Sequence, residues 1–343
     1  MTIVVERGSE TGTRSNRIPI LDGWRAISIL LVLAAHLLPL GPKWLRLNEQ
    51  AGAMGMALFF CLSGFLIVGF LSAGAPIGSF LLKRVARIVP LAWIAIAVLV
   101  IAGAYTPGTI LRNLAFVANL PPASLLHGGE HLWSLGVEVQ FYLVAAVLVL
   151  LLGRRGLLLI PVLALGITGL RIAFGQTISI ITWYRVDEIL AGGIIALIYQ
   201  GRLGPRIERL LEITPTWAPF VAFLVASHPA DGALQYFRPY ATALLVGSSL
   251  AHTPHWLRRI LESRLMAYVA EISYALYVIH GVLMDSWLGS GDRLEKYLKR
   301  PLLLVVTFAL AHCSTRHLEQ PITRAVRRRE PRPLPADQIV TPG

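Results

Sequence analysis

The sequence predicts an all-α fold, a polytopic transmembrane bundle of about ten helices with both termini in the cytoplasm. Of its 343 residues, 55% are hydrophobic and only 15% are charged, with a mean hydropathy of +0.64. A water-soluble chain of this length needs more polar surface. The apolar residues gather into runs of roughly 17 to 25, the length at which a helix crosses a ~30 Å hydrocarbon core. The basic residues behind the formal charge of +12 fall between these runs and at both tails, which is a topology pattern rather than a nucleic-acid footprint. Disorder, a disulfide-stapled secreted fold and a soluble enzyme are excluded by the same numbers.

Charged and Pro/Gly-rich breaks divide the chain into ten candidate helices. The first lies at 22–41 and the second at 51–73, closed by Gly74. The third, at 90–105, opens at Pro90 after Lys83, Arg84 and Arg87. The next two, at 134–152 and 157–174, flank Arg154 and Arg155, and the sixth, at 183–200, ends before Gly201 and Arg202. The rest lie at 214–229, 237–251, 266–289 and 301–319. An even number of helices puts both termini on one side. That side carries Arg7, Arg14, Arg17, Lys83, Arg84, Arg87, Arg154, Arg155, Arg202, Arg206, Arg209, Arg258, Arg259, Arg264 and the tail arginines, including Arg329 and Arg332. The opposite loops carry Lys43, Arg46, Arg112, Arg238, Arg293, Lys296, Lys299 and Arg300. The richer side is read as the cytoplasm. Residues 1–20 form a cytoplasmic segment, 21–320 the membrane domain, and 321–343 an Arg/Pro-rich cytoplasmic tail expected to be disordered. No inverted repeat, cleavable signal or attached soluble domain is expected. Cys61 and Cys313, both in apolar runs without paired spacing, are read as core residues.

Ionisable side chains inside spans tend to face a cavity or a partner. Arg25 and His36 are eleven residues apart on the first helix, about three turns and ~16 Å along one face. A snorkelling arginine and a satisfied core histidine would give the same spacing.

Further along, the residues resemble the acyltransferase 3 family of integral-membrane O-acyltransferases, in its stand-alone form without a soluble esterase-like domain. The likeness begins with Leu21-Asp22-Gly23-Trp24-Arg25-Ala26 and His36 and continues with Phe59-Phe60-Cys61-Leu62-Ser63-Gly64-Phe65-Leu66. Next come Arg84-Val85-Ala86-Arg87-Ile88-Val89-Pro90 and His131-Leu132-Trp133-Ser134-Leu135-Gly136-Val137-Glu138 with Phe141-Tyr142. It closes with Arg185-Val186-Asp187-Glu188-Ile189-Leu190-Ala191-Gly192, with Ile272-Ser273-Tyr274-Ala275-Leu276-Tyr277 and His280, and with Glu319-Gln320-Pro321. Arg316-His317 stands where an aromatic pair is common in the family.

The resemblance implies transfer of an acyl group, acetyl by default, from cytoplasmic acyl-CoA to a hydroxyl of a glycan or glycan-like acceptor at or across the membrane. It implies His36 as the catalytic base. Imidazole has a reference pKa of about 6.5 and is largely neutral near pH 7, so it can take a proton from a sugar hydroxyl. Arg84 and Arg87, three apart on a helix, suit the phosphates of coenzyme A, or plain topological anchoring. Arg25 shares that role or meets the pantetheine arm. Glu138, expected as a catalytic residue beside His36, shares a helix face with Ser134 and Tyr142; orienting His36, pairing with Arg25 or Arg185, binding the acceptor and a structural hydrogen bond all stay open. Trp133, Ser134, Tyr142, Arg185, Asp187, Tyr274 and His280 are expected on the substrate side. An interfacial aromatic belt explains the group around Arg185 and Asp187 as well. Ser63, Ser134, Ser273 and Cys61 are possible acyl carriers without a nucleophile-elbow context. The histidines show no metal-ligand spacing, so no metal is expected, and no nucleic acid. Arginine far exceeds lysine, which suggests a GC-rich bacterium and its inner (cytoplasmic) membrane. The competing class is a transporter or flippase of a lipid-linked glycan, which would also place charge at mid-depth.

Overall fold

The computed structural model describes residues 18–328, all of them in helices, turns and loops. Arg7, Arg14, Arg17, Arg329, Arg332 and most of the proposed terminal segments lie outside the described residues. The helices are α1 (Pro19–Leu37), α2 (Leu47–Ser72), α3 (Ile77–Ala102), α4 (Pro107–Leu114), α5 (Trp133–Leu152), α6 (Ile160–Ala173) and α7 (Asp187–Tyr199). They continue with α8 (Pro205–Ile213), α9 (Trp217–Ser227), α10 (Arg238–Ala251), α11 (His255–Leu261), α12 (Arg264–Met284), α13 (Arg293–Ser314) and α14 (Gln320–Arg328).

Local chemistry accounts for several of the ends. Proline occupies the first turn of α1, α4, α6, α8 and α10, where its missing N–H has no intrahelical partner to lose. Ser263 caps α12 by accepting from the Met266 N–H at 3.3 Å, and Asp292 caps α13 through the Glu295 N–H at 2.7 Å.

Every one of the ten apolar runs contains a helix, but the lengths do not confirm ten full spans. Six stretches are long and apolar enough to cross a membrane, seven if the broken pair α8–α9, bent by 86°, counts as one. Helices α7, α9 and α10 have 13, 11 and 14 residues, which at 1.5 Å per residue falls well short of ~30 Å. The third helix starts at Ile77, well before Pro90. Its three basic residues read as a break at the interface, yet the helix continues through them and through Pro90. The segment expected as a disordered tail begins with the helix α14, reached through a π-helical turn at Thr315–Glu319.

Helix α2 is the axis of the bundle, packed along α1 on one side and α7 on the other. Small residues permit both crossings. A Cβ on Gly55 would press on the Ser28 carbonyl and on Val32, and one on Gly64 would collide with the Ile189 carbonyl. Helix α12 lies along α1 and α13, and α10 along α7 and α9. Trp24 Nε1 donates to Ser249 Oγ at 2.8 Å and so ties α1 to α10. The outward faces are apolar, with Ile101, Val144, Val147, Leu150, Leu151, Val162 and Leu165 exposed. Such a face suits hydrocarbon, because the helices satisfy their own backbone groups. Cys61 is buried, whereas Cys313 is exposed, which corrects its reading as a core residue.

Candidate functional site

Arg25, Arg84, Arg87, Glu138, Tyr142 and Tyr274, drawn from α1, α3, α5 and α12, line a single cavity. Ser28, Ile29, Val32, Met56, Phe59, Ser63, Ile88, Ser273 and Tyr277 complete its lining. On α1 the lining steps along one face from Arg25 through Ser28 and Ile29 to Val32, and His36 lies one turn further on.

Glu138 is 5% exposed. Its Oε1 accepts from both Ser63 Oγ and the Tyr142 hydroxyl. The carboxylate is therefore held by two donors from α2 and from its own helix, which fixes its aim into the cavity. It is the one carboxylate among the lining residues, against three guanidinium groups. The cavity thus favours an anionic or strongly polar ligand at that end. The Arg84 guanidinium is braced by aromatic rings, 5.5 Å from the Phe80 centroid and 5.6 Å from those of Phe70 and Tyr142. Tyr274 donates to the Ile88 carbonyl at 2.5 Å and so joins α12 to α3 beside the two arginines.

His36 is not in the cavity lining. It stands beyond Val32, exposed on the surface of the bundle, with Nδ1 2.9 Å from the Val32 carbonyl oxygen. A carbonyl only accepts, so Nδ1 carries the hydrogen and Nε2 is left as the basic nitrogen. The His36 ring lies 5.2 Å from that of His280, which in turn lies 4.8 Å from His131. Tyr277 belongs to both regions. It lines the cavity, stacks on Phe59 at 5.7 Å and touches the rings of His131 and His280. Its hydroxyl donates to the His131 carbonyl and accepts from Ser134 Oγ at 2.6 Å. The sequence singled out Ser134 and His280 but not Tyr277 and His131, whose only signal was their place in the quoted blocks.

Arg185 and Asp187 lie elsewhere. Asp187 is fully buried, paired with Arg171 at 2.5 Å and accepting from Thr168 at 3.1 Å. Glu188 sits between Arg185 at 3.2 Å and Arg238 at 2.9 Å. Arg185 also lies over the rings of Phe60 and Trp133. This buried ion network joins α6, α7 and α10. Arg238, read from sequence as a loop cation, opens α10 with no exposure at all. Among the described residues no group of three His, Cys, Asp or Glu side chains is arranged to hold a metal.

Residues 18–314 match the acyltransferase domain family. The chain belongs to that family. It is 26% identical to the peptidoglycan O-acetyltransferase OatA of Listeria monocytogenes, over 91% of this chain and 57% of that protein. It is 27% identical to nodulation protein 10 of Rhizobium leguminosarum bv. viciae, over 82% of this chain and 85% of that one. The chain thus spans little more than half the length of the Listeria protein. No solved structure matches it. Family and spans together make it an integral membrane protein.

Proposed function

We propose that the chain is a membrane-embedded O-acyltransferase that moves an acyl group, acetyl by default, from acyl-CoA to a hydroxyl of a glycan. Peptidoglycan is the acceptor suggested by the Listeria relative. The observation that carries this reading is the convergence of Arg25, Arg84, Arg87 and Glu138 on one cavity whose α1 wall leads on to His36. The arginines would hold the phosphates of coenzyme A, with the pantetheine arm directed along α1 towards Val32. His36 Nε2 takes the proton of the acceptor hydroxyl as its oxygen attacks the thioester carbon, and the departing sulfur receives that proton. Both termini and the arginine end are assigned to the cytoplasm of a bacterial inner membrane, from the basic bias of the loops. Donor and acceptor then meet from opposite sides.

The test is transfer in oriented proteoliposomes with labelled acetyl-CoA inside and peptidoglycan strands outside. Acyl transfer with stoichiometric release of CoA thiol is expected. Glycan movement without thiol release would identify a transporter instead. Efficient transfer with donor and acceptor both outside would refute the through-membrane route.

A further inference from the structure

His36 is exposed near the end of α1, and among the described residues its ring makes one hydrogen bond, to the Val32 carbonyl of its own helix. The aim of Nε2 is therefore inherited from the last turn of α1. The helix stops at Leu37, and Leu38 is extended, at φ −118° and ψ 145°, ahead of Pro39. A helix end leaves its last carbonyls without intrahelical partners, and such turns open easily. The chain beyond is exposed from Gly41 to Trp44, so packing does little to hold it.

One side chain from the next helix meets this end. Asn48, in the first turn of α2, gives its two amide hydrogens to the carbonyls of Ala35 at 2.8 Å and Leu38 at 2.6 Å, with that of Ala34 at 3.4 Å. Its Oδ1 accepts from the Leu40 N–H at 3.3 Å. A single amide thus takes up carbonyls before and after His36 in sequence, together with the first N–H beyond Pro39. One turn further along α2, a Cβ on Gly52 would lie 3.5 Å from that of Ala35, so the two helices run close enough for so short a side chain to reach.

We propose that Asn48 is a positioning residue of the acyl transfer, its amide closing the last turn of α1 so that the His36 ring keeps one tautomer and one aim towards the acceptor hydroxyl. This rests on His36 being the base. Asn48 is not among the residues that line the cavity, and it acts through the backbone. With the Ala35 and Leu38 carbonyls bound, the turn stays helical, the Val32 carbonyl stays beside Nδ1, and the lone pair stays on Nε2. Without the amide those carbonyls turn to water, the turn frays, and the ring is free to leave Val32. A base displaced by about 1 Å can cost a reaction as much as a hundredfold.

The full chain in proteoliposomes, given acetyl-CoA and peptidoglycan strands, tests this through the release of CoA thiol. Asn48→Leu keeps the size of the side chain and loses its hydrogen bonds, and Asn48→Gln keeps the amide. The leucine variant is expected to lose roughly tenfold to a hundredfold in kcat with KM for acetyl-CoA unchanged, and the glutamine variant to recover most of the loss. In His36→Ala, where no ring is left to aim, Asn48→Leu should slow the residual rate no further. Wild-type kcat in folded Asn48→Leu overturns the proposal, whatever its melting point, and so does an equal loss with and without His36. If Asn48→Leu does not accumulate, Asn48→Ser, with one donor, against Asn48→Gln makes the same comparison. Retention of activity by His36→Ala alone would remove the base assignment and this inference together, whereas an inactive His36→Ala beside a fully active Asn48→Leu removes the inference alone.

Discussion

The backbone of Gly192 in α7 rests on the carbonyl of Cys61 in α2 so closely that a Cβ there would collide with that oxygen. One turn along the same crossing, Gly64 has the reciprocal relation with the Ile189 carbonyl. Two buried helices can approach this far only where neither presents a side chain. Gly192→Ala is therefore expected to destabilise the protein by about 3 kcal/mol, since a rigid backbone atom must give way. A thermal melt in detergent, compared with Gly166→Ala, where nothing lies within reach of a Cβ, would show the difference.

His36→Ala should lower acyl transfer roughly a hundredfold to ten-thousandfold, as expected for loss of a general base. Because His36 is outside the cavity lining, acetyl-CoA affinity should stay at the wild-type value. Calorimetry beside turnover separates these effects, and near-normal turnover by the folded variant would sink the assignment.

Arg84→Ala combined with Arg87→Ala should weaken acetyl-CoA binding by roughly a hundredfold, about the worth of two charge-assisted contacts. The salt dependence of binding should flatten with it. Unchanged affinity would return both arginines to a purely topological role.

Arg171→Ala strands the buried Asp187 carboxylate and should cost about 4 kcal/mol of stability. Arg171→Lys should recover only part of this, because Arg171 also donates to the carbonyls of Gln176 at 3.1 Å and Thr177 at 2.5 Å. Unfolding midpoints would measure it. Acetyl-CoA affinity of the folded fraction should not change, since neither residue lines the cavity.

His127, outside the spans, is 2.8 Å from Asp285. The hydrogen bond and charge of Asp285, helped by Glu130, raise its pKa above the usual imidazole value. A raised pKa means the folded protein holds the proton more tightly than the unfolded chain. The stabilisation is complete below the ordinary value of about 6.5 and is lost as pH rises through the folded-state value. Melting midpoints taken between about pH 6 and pH 8 should fall by less in His127→Asn than in the wild type.

The membrane class and the segment order were legible because length and hydropathy act locally along the chain. Where the sequence misled, polarity faced inward. Lys83, Arg84 and Arg87 read as the edge of a span, yet the helix runs through them and two of them line the cavity. Arg238 read as a loop cation because its partner Glu188 is fifty residues away. Residue types pointed to Arg25, Glu138 and His36, and the structure sets the first two in one cavity with His36 beyond its end. That Tyr277 joins the two regions depends on how α12 packs against α1 and against the turn at Glu130–Leu132 before α5, which no spacing in one segment encodes.

The stacked rings of Phe59 and Tyr277 also have an electrical consequence. An arginine-lined cavity admits water, and neighbouring imidazoles pass protons readily, so a continuous opening between them would short-circuit the bilayer. With the Tyr277 hydroxyl tied to Ser134 and to the His131 carbonyl, the aromatic pair would act, on the proposed reading, as an insulator. An enzyme of the proposed kind, working across a membrane, would have to hand over a small acyl group without handing over the ion gradient as well.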